Sequence, residues 1–483
     1  MKSLDQIAAE LQGYDAQAMT AEGVRTFLSH LVTPVRETRE LPLFDALGRV
    51  LATDVISPFD VPPHDNSAMD GYAFAGQELA PTLVALRTAL PPEGAAAPAA
   101  WQSQSRGPGW SGTASTNEAL VLQVVGTAMA GKAWTGSVGV GQCVRIMTGA
   151  VMPAGLDTVV PQEFVALDRT AEIERVTIPH GLLRTGDNRR LRGEDLMQGK
   201  AALRKGELLT PARLGLAASL GLPTLTTWRP LRVAYFSTGD EILSLGEAPR
   251  EGAVYDSNRY TVFGLLSRLG CQVIDLGVVR DDPAQLEAAF RSAAAQADAI
   301  ITSGGVSVGE ADHTKAMMKK LGDVAFWRIA MRPGRPMAVG RIFPVKSAIH
   351  ADGSGITSYR NDSEQAGAVM FGLPGNPVAV MVTFLAFVRP ALLQMMGADA
   401  APAVLLKARS SEAIRKKPGR TEYQRGRVAT AADGALQVKT TGSQGSGVLR
   451  SMAEANGLIV LHHGQGNVAV GDEVDVMMFD GAI

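Results

Sequence analysis

The sequence is poor in cysteine. It contains only Cys143 and Cys271 among its 483 residues. Two cysteines so far apart exclude a disulfide framework and a zinc site built from Cys-x-x-Cys pairs, and they are typical of a reducing compartment. We therefore expect a cytoplasmic protein.

Neither sign of charge is in clear excess, because the sequence has 46 Lys and Arg residues and 48 Asp and Glu residues, which gives a formal net charge of −2. A nucleic-acid-binding protein usually presents a strongly basic face, so we expect no nucleic acid partner. The balanced charge does not exclude a local basic pocket. The start Met1–Asp5 lacks a basic segment followed by an apolar core, and no apolar run reaches transmembrane length. We expect no membrane partner.

The length of the chain and its changes in composition predict several domains. The polar first ~19 residues are expected to be a loose tail. Apolar residues at helical spacing predict a helix over 20–32. A strand-like stretch then runs from Leu41 to Ile56.

Three further regions have distinct patterns. Residues 58–162 are rich in Gly, Val, Thr and Pro, and predict a small β domain. Residues 231–392 alternate apolar strands with helices, which predicts a parallel sheet in a three-layer domain. Short alternating runs over 403–483 predict a small β barrel or sandwich. The stretches 91–117 and 346–366 are expected to be loops or insertions.

Three glycine-rich turns follow apolar runs in the second half of the chain. We name them the first turn (Ser237–Glu241), the second turn (Ser303–Asp312) and the third turn (Leu373–Pro377). If the runs are parallel strands of one sheet, all three turns lie at the edge where such sheets bind ligands. Glycine lets backbone N–H groups approach an anion, and a helix start adds a favourable dipole. The turns therefore predict a site for a phosphorylated ligand.

Acidic and basic residues near these turns extend the prediction. Glu241 and Asp312 have the chemistry of ligands for a divalent cation, although acids at helix starts also serve as caps. No Gly-Lys-Ser/Thr ending and no GxGxxG spacing occurs, which disfavours a Walker loop and dinucleotide redox chemistry. Arg332 and Arg335 lie in a turn with two prolines and suit an oxyanion.

Together with further polar motifs, these segments resemble the molybdopterin molybdenumtransferase family, which includes the MoeA proteins and the gephyrin E domain. The similarity covers nearly the whole chain from about residue 20, and the motifs run in the family's order. The matching segments are Asp65–Ala73, Arg145–Ala150, Gly186–Asp195, Ser237–Glu241, Thr302–Asp312, Arg332–Pro336, Gly372–Pro377, and Gly442–Gly447 with Ala455–Leu458.

The resemblance implies a multidomain α/β plus β architecture. A linker-like N-terminal domain would combine residues 1–57 and 163–230, and the small β domain 58–162 would be inserted into it. The three-layer parallel-sheet domain 231–392 would bind molybdopterin, and a C-terminal β barrel would occupy 393–483. The resemblance also implies an elongated homodimer with its active site in a cleft between protomers.

The implied reaction inserts molybdate into adenylylated molybdopterin with Mg²⁺, and yields molybdenum cofactor and AMP. The molybdopterin adenylyltransferase would be a partner protein. The implied catalytic residues are Asp70, Thr148, Asp195, Glu241 and Asp312, of which Glu241 and Asp312 would hold the metal. The substrate-binding candidates are Asn66, Ser67, Gly239, Gly304, Gly305, Ser307, Arg332, Arg335, Pro374, Gly375, Asn376 and Pro377.

This chain departs from the family pattern at two positions. Arg335 stands where the family usually has Lys, and Ala379 stands where it often has Ser. Two alternative functions stay open. One is molybdopterin adenylyltransferase, because that class shares the Gly-Gly-x-Ser motif. The other is a non-catalytic dimeric scaffold, since the gephyrin E domain also clusters receptors.

Overall fold

A computed structural model of the chain describes residues 2–79, 119–170, 173–306, 313–344, 367–399 and 402–479. The chain folds into two compact units, the first Met1–Asp54 with Arg204–Ile483 and the second Val55–Leu203. The expected insertions 91–117 and 346–366 lie outside the described residues, as do Ser307 and Asp312.

The first unit is centred on a six-stranded sheet. In spatial order its strands are Gln272–Val279, Arg232–Thr238, Ala299–Ser303, Ala368–Leu373, Pro336–Ile342 and Gly322–Arg328. The first four are parallel, and their central members are buried throughout, as expected. The last two strands pair antiparallel, which the sequence did not predict.

Helices cover both faces of the sheet and confirm the three-layer arrangement. One face packs against Ser257–Arg268 and Pro377–Thr383, and the other against Pro283–Gln296 and His313–Leu321. Asp282 caps the helix Pro283–Gln296, because its side chain accepts hydrogen bonds from two backbone N–H groups of the first helical turn.

The last helix of this domain is long and apolar. Pro377–Thr383 continues through a π-helical turn, Phe384–Val388, into Arg389–Met395. These 19 residues are long and apolar enough to span a membrane by length and composition alone, so the expectation that no apolar run reaches transmembrane length was wrong. Within the protein, 78% of an 18-residue window of this helix is buried, which is typical of a core helix.

The N-terminus is more ordered than its composition predicted. Leu4–Glu10 is a helix with a capping box at Ser3, and Leu4 and Ile7 are buried in the main core. The loose tail was therefore a wrong expectation for these residues. The next helix, Ala21–Leu31, is capped by Thr20 and confirms the predicted element.

The linker-like region pairs two distant parts of the chain. Thr38–Pro42 forms an antiparallel ribbon with Thr224–Trp228, and the helix Pro211–Ser219 lies between them in sequence. The stretch Leu41–Ile56 contains a short 3₁₀ helix, Leu43–Asp45, and is not one strand.

A buried ion pair fastens this region to the sheet. Arg229 donates two 2.7 Å hydrogen bonds to the carboxylate of Asp298, which precedes the strand Ala299–Ser303. Burial alone would raise the pKa of Asp298, but the hydrogen bonds from Arg229 and from the Arg232 backbone N–H lower it.

The second unit contains the expected small β domain. Its six strands, in spatial order, are Thr158–Pro161, Gly71–Phe74, Gln142–Ile146, Leu120–Ala128, Arg175–Ile178 and Ala166–Asp168. The sheet therefore extends beyond residue 162, where the sequence placed the end of this domain. Short ribbons join Asn66–Ser67 to Arg189–Arg190 and Val55–Ile56 to Ala201–Leu203.

The C-terminal region is a closed five-stranded barrel, which confirms the barrel prediction. Around the ring the strands are Thr421–Thr430, Leu436–Thr440, Leu405–Ser410, Glu473–Met478 and Gly457–Leu461, and the last pairs back with the first. Met331–Arg332 of the sheet domain adds to this barrel beside Thr421–Glu422. The longest strand, Thr421–Thr430, was not predicted.

The carboxyl ends of three parallel strands meet in register, with Ser237 opposite Ser303 and Ser303 opposite Leu373. The next residue, Gly304, has a left-handed φ of +91°, and a Cβ added there would lie 2.5 Å from the carbonyl oxygen of Thr238. Only glycine fits this approach.

We expect Gly304→Ala to lower the free energy of unfolding of the sheet domain by about 2 kcal/mol, because it combines a disfavoured φ with a backbone clash. Gly375→Ala is the matched control, since a Cβ there meets only the α-carbon of Gly304, at 3.9 Å. Differential scanning calorimetry compares the two variants. Equal unfolding temperatures would contradict the proposed packing.

Candidate functional site

The three glycine-rich turns lie at one sheet edge, as the sequence predicted. The Gly304 N–H donates to the Leu373 oxygen at 3.2 Å, which joins the second turn to the third. The backbone N–H groups of Gly239, Gly305 and Gly375 have no acceptor among the described residues. This edge therefore has backbone donors available for an anion.

Glu241 folds back over the first turn. Gly239 has a φ of +142°, and a Cβ added there would lie 2.5 Å from Oε2 of Glu241. The Glu241 side chain is exposed and accepts no hydrogen bond from the described residues. Arg280 fixes the turn by donating to the carbonyl oxygens of Asp240 and Ile242, at 3.1 and 3.2 Å.

Asp281 is an acidic residue of this edge that sequence reasoning missed. It follows the strand Gln272–Val279, and its backbone N–H donates to Oδ1 of Asp240 at 3.3 Å. Its own Oδ1 is buried and has no partner among the described residues. In the sequence, Asp281 and Asp282 precede a predicted helix, and acidic residues in that position usually serve as helix caps. Nothing in the sequence therefore distinguished Asp281 from a cap.

The second turn is described only in part. Gly305 has a φ of +64°, and a Cβ there would lie 2.5 Å from the Thr314 side chain. Gly304 and Gly305 thus occupy the predicted edge. Ser307 and Asp312, the other candidates of this turn, lie outside the described residues.

The third turn begins the long core helix. Pro374 and Gly375 follow the strand, and Pro377 is the first residue of the helix Pro377–Thr383, with Asn376 as its N-cap residue. The turn packs against the barrel loop Gly442–Gly447, because the Val378 N–H donates to the Ser446 oxygen at 3.1 Å.

Arg332 and Arg335 are exposed on the turn that links sheet and barrel. Gly334, between them, packs against the core helix, where a Cβ would lie 2.5 Å from Oγ1 of Thr383. Neither arginine forms a salt bridge with a described residue. Both charges are therefore available to a ligand.

Arg425 is a second residue that the sequence reasoning missed. It lines a pocket of about 280 Å³ whose charged residues are three arginines, Arg332, Arg415 and Arg425, and two glutamates, Glu412 and Glu422. Arg425 is fully buried and donates to the carbonyl oxygens of Ser443 and Gly445 at 3.1 and 2.9 Å.

The charge of Arg425 has no carboxylate partner among the described residues. Its remaining donors reach the Gln444 oxygen at 3.3 Å and Oγ of Ser451 at 2.9 Å, which are both neutral. Burial, together with the nearby charge of Arg332, lowers the pKa of Arg425 to about 10. The residue stays protonated at neutral pH, so the pocket favours an anion.

The second unit brings its own predicted motifs together. The Ser67 N–H donates to the Ala150 oxygen at 3.0 Å, and the Arg192 N–H donates to Oδ1 of Asp65 at 2.8 Å. Asn66 and Ser67 pair with Arg190 and Arg189. The segments Asp65–Ala73, Arg145–Ala150 and Gly186–Asp195 therefore form one surface.

Asp70 and Thr148 form a close pair on that surface. Oδ1 of Asp70 accepts from the backbone N–H of Thr148 at 2.6 Å and from its hydroxyl at 2.7 Å. Both hydrogen bonds lower the pKa of Asp70, the one from the backbone more. Asp70 is thus ionised at neutral pH and suited to orient a donor rather than to move a proton.

Asp195 lies at the end of the same surface. Its side chain is exposed, and its backbone N–H donates to the Val61 oxygen at 3.1 Å. The carboxylate of Asp195 bonds neither to Asp70 nor to Thr148.

Family models match the chain along most of its length. Residues 17–221 match the MoeA N-terminal region (domain I and II), residues 234–394 a probable molybdopterin binding domain, and residues 407–479 the MoeA C-terminal region (domain IV).

Curated relatives and a solved structure agree with these matches. A molybdopterin molybdenumtransferase of Haemophilus influenzae is 36% identical over 445 residues, which cover 92% of this chain and 94% of that protein. One from Nostoc is 32% identical, over 92% of this chain and 89% of that protein. The molybdopterin biosynthesis MoeA protein of Pyrococcus horikoshii OT3 has the same fold, with a TM-score of 0.70 at 23% identity over 96% of this chain and 100% of that one. The chain therefore belongs to the MoeA family, that of the molybdopterin molybdenumtransferases.

Proposed function

We propose that this protein inserts molybdate into adenylylated molybdopterin, and so releases AMP and forms molybdenum cofactor in a magnesium-dependent reaction. The observation that carries the proposal is the convergence of the three glycine-rich turns on one edge, beside a buried arginine. Such an edge suits a diphosphate, and a cationic pocket beside it suits an oxyanion.

The phosphate groups of the substrate bind at the turns. The N–H groups of Gly239, Gly305 and Gly375 lack acceptors among the described residues, and Pro377 starts a long helix at the same edge. Backbone donors and a helix N-terminus stabilise negative charge without the cost of ordering side chains. The same groups stabilise charge on the departing AMP.

Glu241 fits the way that proteins hold Mg²⁺. The ion usually binds one or two carboxylates and substrate phosphates, rather than a cage of protein ligands. Glu241 places a carboxylate at this edge, and the carboxylate has no hydrogen-bonding partner among the described residues. The described residues contain no group of three or more side chains that could hold a metal ion by themselves. We assign Glu241 and Asp312 as its ligands. Bound Mg²⁺ would neutralise charge on the phosphate oxygens.

Molybdate binds in the pocket of Arg425 and Arg332. Arg425 holds the loop Gly442–Gly447, and that loop contacts the third turn, so the pocket and the edge belong to one region of the first unit. Arg335, on the same turn as Arg332, keeps a positive charge where the family usually has Lys.

The active form is a homodimer in the cytoplasm. Asp70, Thr148 and Asp195 act from the opposite wall of a cleft between protomers, and the molybdopterin adenylyltransferase supplies the substrate. An exposed apolar patch supports self-association, since Tyr260 and Phe263 project from the helix Ser257–Arg268 with 49% and 52% of their surfaces exposed.

We expect the purified protein to release AMP from adenylylated molybdopterin only when molybdate and Mg²⁺ are both present. Glu241→Gln and Asp312→Asn should each lower kcat by about 100-fold, because each removes a carboxylate from the metal. Glu251→Gln is the matched control, since Glu251 is an exposed glutamate of the same segment.

Two results would contradict this assignment. One is wild-type protein that releases no AMP under these conditions. The other is consumption of ATP with molybdopterin as the sole acceptor, which is the behaviour of an adenylyltransferase.

We expect Arg425→Lys to raise the KM for molybdate by about tenfold or more, because a lysine ammonium cannot make the set of hydrogen bonds with which Arg425 holds the loop beside the pocket. The KM for adenylylated molybdopterin should change little. Arg427→Lys is the control, as Arg427 is exposed on the same strand. An equal molybdate KM in both variants would place the oxyanion elsewhere.

A further inference from the structure

Asp256 is buried beside the first turn, with 3% of its surface exposed. Its Oδ1 accepts from the Arg259 backbone N–H at 3.1 Å, which caps the helix Ser257–Arg268. The same oxygen accepts from the Ser237 hydroxyl at 2.9 Å, and the Asp256 N–H donates to the Leu243 oxygen at 3.0 Å. Asp256 thus contacts the first residue of the first turn and the chain just after that turn.

Hydroxyl groups connect this contact to the second turn. Tyr235 places its hydroxyl 2.9 Å from Oγ of Ser237 and 2.7 Å from Oγ of Ser303, and the two serine oxygens are 3.2 Å apart. All three side chains are buried. A chain of hydrogen bonds therefore runs from Asp256 to the residue that begins the second turn.

Asn258 reaches the third turn from the same helix. Its Nδ2 donates to the carbonyl oxygen of Gly375 at 2.7 Å, and the residue is 7% exposed. The N-terminal end of the helix Ser257–Arg268 is thus hydrogen-bonded to all three glycine-rich turns. Asp256 bonds to the first turn at Ser237 and through it to the second turn, and Asn258 bonds directly to the third turn.

Helix capping alone does not account for this arrangement. Asp282 caps the helix Pro283–Gln296 from an exposed position, so a cap in this domain has no need of burial. By contrast, Oδ2 of Asp256 and Oδ1 of Asn258 are buried without a partner among the described residues. Burying such an atom without a hydrogen-bond partner destabilises the folded protein. A cost of this kind is typical of residues retained at functional sites.

We infer that Asp256 and Asn258 are positioning residues that set the spacing of the three turns and so align the diphosphate of the substrate. The inference rests on the proposed function. Neither residue contacts the substrate, because both lie beneath the edge. Their effect reaches the reaction through Ser237, which lies two residues before Gly239, and through Gly375, because the N–H groups of both glycines lack acceptors among the described residues.

Asp256→Ala should lower kcat by about 10- to 100-fold, with KM within about threefold, because misaligned reacting groups slow the chemical step. Asp256→Asn should recover kcat to within about fivefold, since an amide oxygen accepts the same hydrogen bonds from Ser237 and Arg259. Thr210→Ala, which removes the cap of the helix Pro211–Ser219, is the matched control. Hydrogen exchange by mass spectrometry measures the three turns independently of activity.

Faster exchange in all three turns of Asp256→Ala, with reduced kcat, supports the inference. Unchanged exchange, or an unchanged kcat per folded molecule, overturns it. If Asp256→Ala does not fold, Asn258→Ala decides, because it keeps the cap and should accelerate exchange at 374–377 and lower kcat. Wild-type protein that releases no AMP would refute the proposed function, and the exchange data would still decide whether Asp256 orders the turns.

Discussion

The structure depends on the close approach of two backbone segments at the carboxyl edge of the sheet. Gly304 lies against the carbonyl oxygen of Thr238, at a φ that only glycine adopts without strain. This contact keeps three parallel strands in register to their ends, so the turns that follow them share one edge. A phosphate group needs several donors at one point, and the edge supplies them from the backbone.

Charge is distributed around that edge in a way that suits two anionic substrates. Glu241 contributes a carboxylate at the first turn, whereas Arg425 and Arg332 contribute cations on the barrel side of the third turn. Arg425 holds the loop Gly442–Gly447 while its charge has only neutral acceptors among the described residues. One residue therefore has both a structural and an electrostatic effect.

Features with local chemistry were predictable from the sequence, and those that depend on tertiary contacts were not. The three turns were found because glycine and proline mark them. The hairpin of Gly322–Arg328 and Pro336–Ile342 was missed, since it joins the sheet antiparallel and breaks the strand–helix alternation. The strand that carries Arg425 was hidden by buried polar residues at successive positions. Asp256 has the pattern of an ordinary helix cap, and only its burial distinguishes it.

The most direct measurement is a crystal structure of the protein soaked with AMP, Mg²⁺ and molybdate. We expect the AMP phosphate on the N–H groups of Gly239, Gly305 and Gly375, Mg²⁺ beside Glu241, and molybdate against Arg425. A phosphate bound away from the three turns, or molybdate bound outside the arginine pocket, would contradict this expectation.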